Sequence, residues 1–211
     1  MDQETEKIHD ERYKLLPKIK LLFSDTDNLD LVHDQIIDKI KFLLDFDQCT
    51  LAILQPKNQS YKLRNLLDLE LGVNDKEDTA YPLDESIPGA VIQSQQVSLL
   101  TIGDDTPHND SAIHTYPGKW NGSPGTILSL PLLAHDKVLG ALTLATTKPE
   151  GYDNEDIEIA KIIAAQFASI LNRADQAKQL NFANQELTRL ASFPELNPAA
   201  IIELDQHGQV H

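Results

Sequence analysis

The sequence predicts an α/β (α+β) fold, in which helices pack on a central antiparallel sheet and long helices lie towards both ends of the chain. The first observation is a complete β-hairpin. Thr126–Leu133 and Lys137–Thr146 are rich in β-branched and aliphatic residues, and Ala134–Asp136 is a polar loop of hairpin length. The second is the helical spacing of apolar residues before and after this hairpin. The third is a hydrophobic content of 41% over 211 residues, which is enough to bury a full core.

Charge and composition exclude several classes of protein. A formal net charge of −15 disfavours binding to nucleic acid or to an anionic membrane, because both need a basic patch. No run of about 18 apolar residues occurs and the N-terminus is highly charged, so neither a membrane span nor a signal peptide is predicted. The single cysteine, Cys49, allows no internal disulfide and no cysteine-based metal cluster. We therefore expect a cytoplasmic protein.

The first third of the chain predicts helices followed by strands. Residues 1–25 predict an N-terminal helix, in which Pro17 either starts a new helix or kinks a longer one. The apolar residues of the next helix recur at spacings of three and four and share one face: Leu29, Val32, Ile36, Ile40 and Leu43. Cys49–Leu54 predicts a strand buried on both faces, with Cys49 as an inert core thiol, and Tyr61–Leu71 is the candidate pairing strand.

A short helix and a strand precede the longest irregular segment. Ser86–Gln95 predicts a helix with Pro88 in its first turn, where the missing N–H costs nothing. Val97–Ile102 predicts the next strand. Gly103–Gly125 combines prolines, glycines, acidic residues and the only tryptophan of the chain. A loop of this length inside a compact domain is usually functional or disordered.

Three motifs occur along the chain in a characteristic order. The segment Ile87–Ile92 is followed by Gln96–Leu99, the hairpin carries Ser129–Leu132 and then Val138–Leu142, and Tyr152–Asp156 precedes the last helix. In this order they resemble the motifs of GAF domains, the small-molecule sensor modules of signalling proteins. Pro88 stands near the position where the family has a first glycine.

The resemblance implies a GAF-like sensor domain over residues 26–172. In GAF domains the segment that corresponds to Gly103–Gly125 often lines the ligand pocket, and the alternative is a mobile acidic flap with Trp120 packed down as an anchor. The candidate ligand-binding residues combine aromatic walls with polar groups at the flap and the strand ends: Ser98, Thr101, His114, Tyr116, Trp120 and Ser129. Packing or surface roles remain the alternative for each.

Three chemistries known in the family can be tested residue by residue. Bilin-binding members use a cysteine in the segment corresponding to Pro107–Ile113, where this chain has none, so no covalent bilin is expected and the cofactor is unknown. Methionine-sulfoxide reductases of this fold need several active-site cysteines. Cyclic-nucleotide-binding members carry a signature that Lys148, Tyr152 and Asp156 match, but Thr and Ile stand in place of its Asn and Glu. Nucleotide binding is therefore the less favoured option.

Catalytic motifs are not found in the sequence. The chain has no G-x-S-x-G, no Walker-type glycine loop and no H-E-x-x-H. His108 and His114 share the long loop with Asp104, Asp105 and Asp110, which form either a weak metal or haem site or a set of solvated loop residues. We expect a regulatory domain and not an enzyme, with an effector such as a histidine kinase or a nucleotide cyclase in a further C-terminal part.

The apolar pattern of the last helix predicts pairing with a second copy of the chain. From Asp156 onwards an apolar stripe alternates spacings of four and three: Ile163, Phe167, Ile170, Ala174 and Ala177. The first part of this stripe packs on the domain's own sheet. Beyond about Arg173 no domain remains to cover it, so residues 173–191 predict a signalling-helix linker that forms a parallel homodimer through the stripe. A solvated tail with a weak stripe is the alternative.

The pattern changes again after Arg189. Ala199–Asp205 predicts a short strand that ends in a turn, and Pro198 before it is tolerated only at a strand start. Phe193–Val210 resembles the opening of PAS domains, with Ala200 in place of the common second proline. Residues 192–211 are therefore expected to form the first strand of a truncated PAS domain.

Together these inferences predict a cytosolic signal-transduction sensor module. The module couples a small-molecule ligand, or the state of an upstream domain, to a downstream PAS or effector region through a dimeric C-terminal helix. The alternative is a ligand-free dimerisation and transmission module whose pocket is filled by its own side chains. Neither nucleic acid nor a membrane is an expected partner.

Overall fold

The elements of the protein are those of an antiparallel sheet flanked by helices. The computed structural model describes residues 12, 14–18, 20–21, 23, 29–55, 59–68, 80–84, 86–102 and 125–196. The helices are α1 (Leu29–Leu43), α2 (Ile87–Ser94) and α3 (Asn154–Leu196). The strands are β1 (Gln48–Gln55), β2 (Ser60–Asp68), β3 (Ala80–Pro82), β4 (Ser98–Ile102), β5 (Gly125–Ala134) and β6 (Lys137–Thr146). The predicted α/β (α+β) class with a central antiparallel sheet is confirmed.

The sheet has six strands in the order β3-β2-β1-β6-β5-β4, and every neighbouring pair is antiparallel. The predicted hairpin supplies the neighbouring strands β6 and β5, and the central pair of the sheet is β1 and β6. β5 and β6 pair from Thr126 opposite Thr146 to Ala134 opposite Lys137, and His135 in the turn has a φ of 56°. Gly140 allows β6 to approach β1 closely, because a Cβ at this position would lie 1.9 Å from the Ala52 carbonyl oxygen.

One face of the sheet, here called the helix face, is covered by α1 and α3. Leu51, Leu128 and Leu142 point to this face from three neighbouring strands and are fully buried. They join one buried cluster with apolar residues of both helices, among them Ile40 and Ile159. Side chains of Ile36, Ile40 and Leu43 are buried as the helical spacing predicts, because α1 lays this stripe on the sheet.

The predicted N-terminal helix is confirmed where its residues are described. Residues 12, 14–18, 20–21 and 23, here called the N-terminal helical segment, are helical, and Pro17 lies within them. Leu16 and Phe23 are buried in the same cluster as α1 and α3. The ring of Phe23 meets that of Phe167 edge to face, with centroids 4.9 Å apart and planes at 87°. The segment is therefore part of the core on the helix face.

α2 covers part of the opposite face, here called the α2 face, and is capped at both ends. Ser86 Oγ accepts a hydrogen bond of 3.0 Å from the Gly89 N–H, which is the predicted helix start with Pro88 in the first turn. Gln95 closes the helix in a left-handed conformation with a φ of 56°, and its N–H donates to the Val91 carbonyl over 2.8 Å.

α3 begins with reciprocal capping. Asp153 Oδ1 accepts from the Asp156 N–H over 2.8 Å, and Asp156 Oδ2 accepts from the Asp153 N–H over 3.1 Å. The chain divides into two units, Met1–Asn172 and Arg173–His211, and α3 contributes to both. The helix continues to Leu196, so residues 192–196 are helical and do not belong to a strand as predicted. The predicted strand Ala199–Asp205 lies outside the described residues.

The structure corrects part of the predicted dimer stripe. Ile163, Phe167 and Ile170 are fully buried in the chain's own core, so they cannot also form a contact with a second copy. Ala174 is half-buried and Ala177 is exposed. Among the described helices, none has the combination of length and apolar character that crossing a bilayer requires.

Candidate functional site

The six predicted ligand-binding residues do not form one group. Ser98 and Ser129 are direct cross-strand partners and point to the α2 face. Thr101 is opposite Thr126, and this register puts both on the helix face, away from the two serines. His114, Tyr116 and Trp120 lie outside the described residues. The structure therefore brings two of the six together and separates Thr101 from them.

Ser98 and Ser129 belong to a row of polar residues that crosses five strands of the sheet. Ser129 is opposite Thr143, Thr143 is opposite Thr50, and Thr50 is opposite Asn65. Directly opposite residues of antiparallel strands point to the same face, so all five side chains lie on the α2 face. This polar row consists of Ser98, Ser129, Thr143, Thr50 and Asn65.

Only part of the hydrogen-bonding capacity around the polar row is used. The hydroxyls of Ser129 and Thr143, both fully buried, bond to each other over 2.8 Å. Thr50 is 3% exposed and its Oγ1 has no hydrogen-bond partner in the described part of the chain. The same holds for Oε1 of Gln48, which is 5% exposed and lies two residues from Thr50 on the same face. Each unsatisfied buried group costs about 1–3 kcal/mol.

Tyr61 adds a further buried hydroxyl to the α2 face, next to the Ser86 side chain. Its side chain is fully buried beside Ala52, and its hydroxyl has no partner within hydrogen-bonding geometry among the described residues. Burial raises the pKa of Tyr61, and the nearby Ser86 side chain offsets part of this effect. The ring stacks on Tyr81 with centroids 5.6 Å apart. The phenol is therefore a protonated hydrogen-bond donor at neutral pH.

Apolar clusters flank the polar row on both sides. One cluster joins Ala52 and Ala141 to Val91 and Ile92 of α2. The other joins Ile127 and Ala145 to further apolar residues. Because side chains on one face of a strand are about 7 Å apart along it, the polar row lies between the two clusters. Polar groups on an apolar floor are the usual composition of a small-molecule site.

The helix face has a separate open groove at its edge. It is lined by Leu99 and Thr101 of β4, by Thr126, and by the loop Pro149–Asp153. Thr126 Oγ1 lies 2.9 and 2.8 Å from the carbonyl oxygens of Lys148 and Pro149 and accepts from the Gly151 N–H over 3.2 Å. The Thr126 hydroxyl is already bonded to this loop, so the groove around Thr101 serves to join the loop to the sheet.

Residues that match a cyclic-nucleotide signature are engaged in contacts within the chain. The Lys148 ammonium pairs with Asp45, and this hydrogen bond raises the pKa of Lys148. The Thr147 N–H and hydroxyl donate to Asp47 Oδ2 over 2.8 and 3.1 Å. Together these contacts join the end of β6 to the loop before β1. These contacts give Thr147 and Lys148 a structural role that needs no bound nucleotide.

Cys49 is a core residue, as predicted. It is fully buried on the helix face, and burial raises the pKa of its thiol. The thiolate needed for nucleophilic or redox chemistry is therefore disfavoured in the folded protein.

Sequence reasoning missed Gln48, Thr50, Tyr61 and Thr143 on the α2 face. A signal for three of them was present, because Gln48 and Thr50 alternate with Cys49 and Leu51 in β1 and Thr143 interrupts an apolar run in β6. Polar residues at alternate positions of an otherwise apolar strand point to one shared face. The register that aligns them across strands is not readable from one sequence.

A family model described as GAF domain matches residues 27–172. No curated protein matches the chain.

Solved structures with a similar fold are numerous. The GAF domain of Acinetobacter phosphoenolpyruvate-protein phosphotransferase is 17% identical, with a TM-score of 0.61 over 80% of this chain and 98% of that chain. The GAF domain of a two-component sensor histidine kinase from Bacillus halodurans is 18% identical, with a TM-score of 0.55 over 72% and 99%. Residues 122 to 287 of a methyl-accepting chemotaxis protein are 14% identical, with a TM-score of 0.58 over 76% and 98%. At these identities the likeness shows the fold alone.

Proposed function

Because the chain belongs to the GAF domain family over residues 27–172, we propose that it is a regulatory module of a signalling protein that senses a small molecule on the α2 face. The observation that carries the proposal is a pair of buried polar groups there that have no hydrogen-bond partner among the described residues, Gln48 Oε1 and Thr50 Oγ1. A ligand that bonds to them would recover part of their desolvation cost.

A regulatory role is favoured over catalysis. Catalysis by a cysteine needs a thiolate, and the only cysteine is buried with a raised pKa. The polar row has hydroxyls and amides but no acid or base to activate one of them. Its chemistry is that of recognition. The single unpaired cysteine also fits the cytoplasmic location that we propose.

α3 is the proposed output element. Structural neighbours include domains of a sensor histidine kinase and a chemotaxis protein, which supports a role in signal transduction. In the unit that begins at Arg173, α3 exposes large apolar side chains by about 60% or more: Leu180, Phe182, Leu187 and Leu190. A single helix with these residues in water is only marginally stable, which favours a second copy as its partner. We propose a parallel homodimer whose helix pairing changes with ligand occupancy.

We also propose a PAS or effector region beyond α3. The similarity of Phe193–Val210 to a PAS opening supports a PAS or effector region after the helix. The helical residues up to Leu196 would then be the connection between the two. Proteolysis and domain mapping of the full-length protein would test this arrangement.

A ligand-free transmission module is the second candidate. It is favoured by the apolar side chains Val91 and Ile92 of α2, which pack against Ala52 and Ala141 and close part of the α2 face. In this case the unsatisfied groups would be bound by water. The two candidates differ in whether a small molecule changes the stability of the protein.

The experiment is native mass spectrometry of the purified chain, followed by thermal unfolding with cyclic AMP, cyclic GMP and neutral heterocycles such as adenine and guanine. A retained extra mass, or a rise in Tm that saturates with concentration, supports the ligand sensor. Thr50→Val should abolish that rise, whereas Thr101→Val, the same change on the other face of the sheet, should preserve it. A dimer with no extra mass and no shift in Tm supports the transmission module, and a monomer contradicts the helix pairing.

A further inference from the structure

Arg12 joins three elements on the helix face. Its Nε donates to the Leu43 carbonyl oxygen over 2.9 Å, and its Nη2 bonds both to that oxygen and to Asp156 Oδ1. Its Nη1 lies 3.9 Å from Glu155 Oε1. The side chains of Arg12 and Asp156 are only 19% and 18% exposed, so solvent screens this pair less than an ordinary surface pair.

The partners of Arg12 lie at two helix ends, the last residue of α1 and the first turn of α3. Leu43 is the last residue of α1, so its carbonyl lacks a donor within the helix, and a guanidinium there also complements the negative end of the helix dipole. Asp156 belongs to the capping pair that opens α3. Arg12 therefore closes α1 and holds the start of α3 with one planar group, a geometry that the forked guanidinium permits.

The N-terminal helical segment and α3 run side by side in the same direction. Arg12, the first described residue of the segment, meets Asp156 in the first turn of α3, and Phe23 meets Phe167 further along both. The two contacts are 11 residues apart in both segments, which in α3 is about 16 Å of helix at 1.5 Å per residue. Equal spacing on both helices fixes their mutual register at two points.

We propose that Arg12 is a positioning residue that makes the N-terminal helical segment a second input to α3, separate from the α2 face. A displacement of the segment along its axis moves the guanidinium away from Leu43 and Asp156 together, which uncaps α1 and releases the first turn of α3. The polar row lies on the other side of the sheet and takes no part in this contact. The inference rests on the proposed role of α3 as the output helix.

The test is hydrogen–deuterium exchange of the whole chain, measured without ligand. Arg12→Met keeps the aliphatic stem but removes every donor. We expect about tenfold or faster exchange in the last turn of α1 and the first two turns of α3, because hydrogen bonds to charged groups are lost. β5 and β6 should stay protected. Arg189→Met is the matched control, because it removes an exposed pair with Glu186 on the same helix and should leave both regions unchanged.

Two milder variants separate positioning from general stability. Asp156→Asn keeps an acceptor for the helix cap but removes the charge, so only the start of α3 should exchange faster. Arg12→Lys keeps the charge but not the fork, so both regions should lie between the native chain and Arg12→Met. Unchanged exchange in Arg12→Met, equal loss of protection in the sheet, or full recovery by Arg12→Lys would overturn the proposal. Since no ligand is used, failure here leaves the ligand test of the α2 face unaffected, and the reverse also holds.

Discussion

Two substitutions of the same type should affect stability differently: Thr143→Val should lower it, and Thr50→Val should not. The two threonines are directly opposite each other on β1 and β6, and both are at most 3% exposed. They differ in one respect, because Thr143 shares a hydrogen bond of 2.8 Å with Ser129 and the Thr50 hydroxyl has no partner among the described residues. Valine has nearly the same shape as threonine, so the packing contribution is similar in both.

The magnitudes follow from the cost of a buried polar group. Thr143→Val leaves the Ser129 hydroxyl without its partner and should lower the free energy of unfolding by about 1–3 kcal/mol. Thr50→Val removes a desolvated hydroxyl that makes no bond to any described residue, so the free energy of unfolding should stay constant or rise by about 1 kcal/mol. We expect the two variants to differ by about 1–4 kcal/mol, and a difference of about 2 kcal/mol is equivalent to roughly 4–8 °C in Tm for a domain of this size.

The assay is urea unfolding followed by far-UV circular dichroism at one protein concentration, with the native chain as reference. The slope of free energy against urea should be equal in all three proteins, so that the midpoints report stability. If Thr50→Val destabilises as much as Thr143→Val, the Thr50 hydroxyl is already bonded in the absence of ligand. That result would refute the reasoning that the α2 face holds free hydrogen-bonding capacity.

Three further predictions follow from the structure. Gly140→Ala should lower the free energy of unfolding by about 1–3 kcal/mol or more, because the new Cβ would lie 1.9 Å from the Ala52 carbonyl oxygen. Urea unfolding measures this change, and an unchanged midpoint would contradict the close approach. Leu187→Asp should shift the proposed dimer towards monomer, as measured by light scattering after size exclusion. Gln185, also exposed, provides the control, because Gln185→Asp should leave the dimer intact. A dimer that persists in Leu187→Asp would contradict a contact at Leu187. Burial raises the pKa of Cys49, so the unfolded chain ionises first, and stability should fall above about pH 8.5 by up to about 1.4 kcal/mol per pH unit. Cys49→Ala should lack this part of the decline, and equal pH profiles for the two proteins would contradict the shift.

Local patterns predicted those parts of the fold that depend on neighbouring residues. The hairpin around Ala134–Asp136, the start of α2 at Ser86 and the buried stripe of α1 are all where the sequence indicates. Turn chemistry, capping and helical spacing act over a few residues, so one sequence is sufficient to read them. Gly140 lies in the Val138–Leu142 motif, which can also be read from the sequence. Its close approach to the Ala52 carbonyl oxygen, however, is visible only in the folded sheet.

The candidate site was predictable only in part. Ser98 and Ser129 were named from the sequence and do face each other, but Thr101 was assigned to the same pocket and lies on the opposite face. A shift of a single residue along a strand reverses its face, so this error follows from not knowing the register. Three further residues named from the sequence, His114, Tyr116 and Trp120, stay predictions.

The sequence by itself determined the α/β class, most of the elements and the family, because these depend on periodicity and on short motifs within the chain, whereas the short edge strand β3 carries no such pattern. Tertiary structure alone decided which residues meet. Thr50 and Thr143 are 93 positions apart, and Arg12 and Asp156 are 144 apart, yet each pair is in register or in contact in the folded chain. Such pairings arise from the pairing of strands and the packing of helices over the whole core, and no local pattern encodes them.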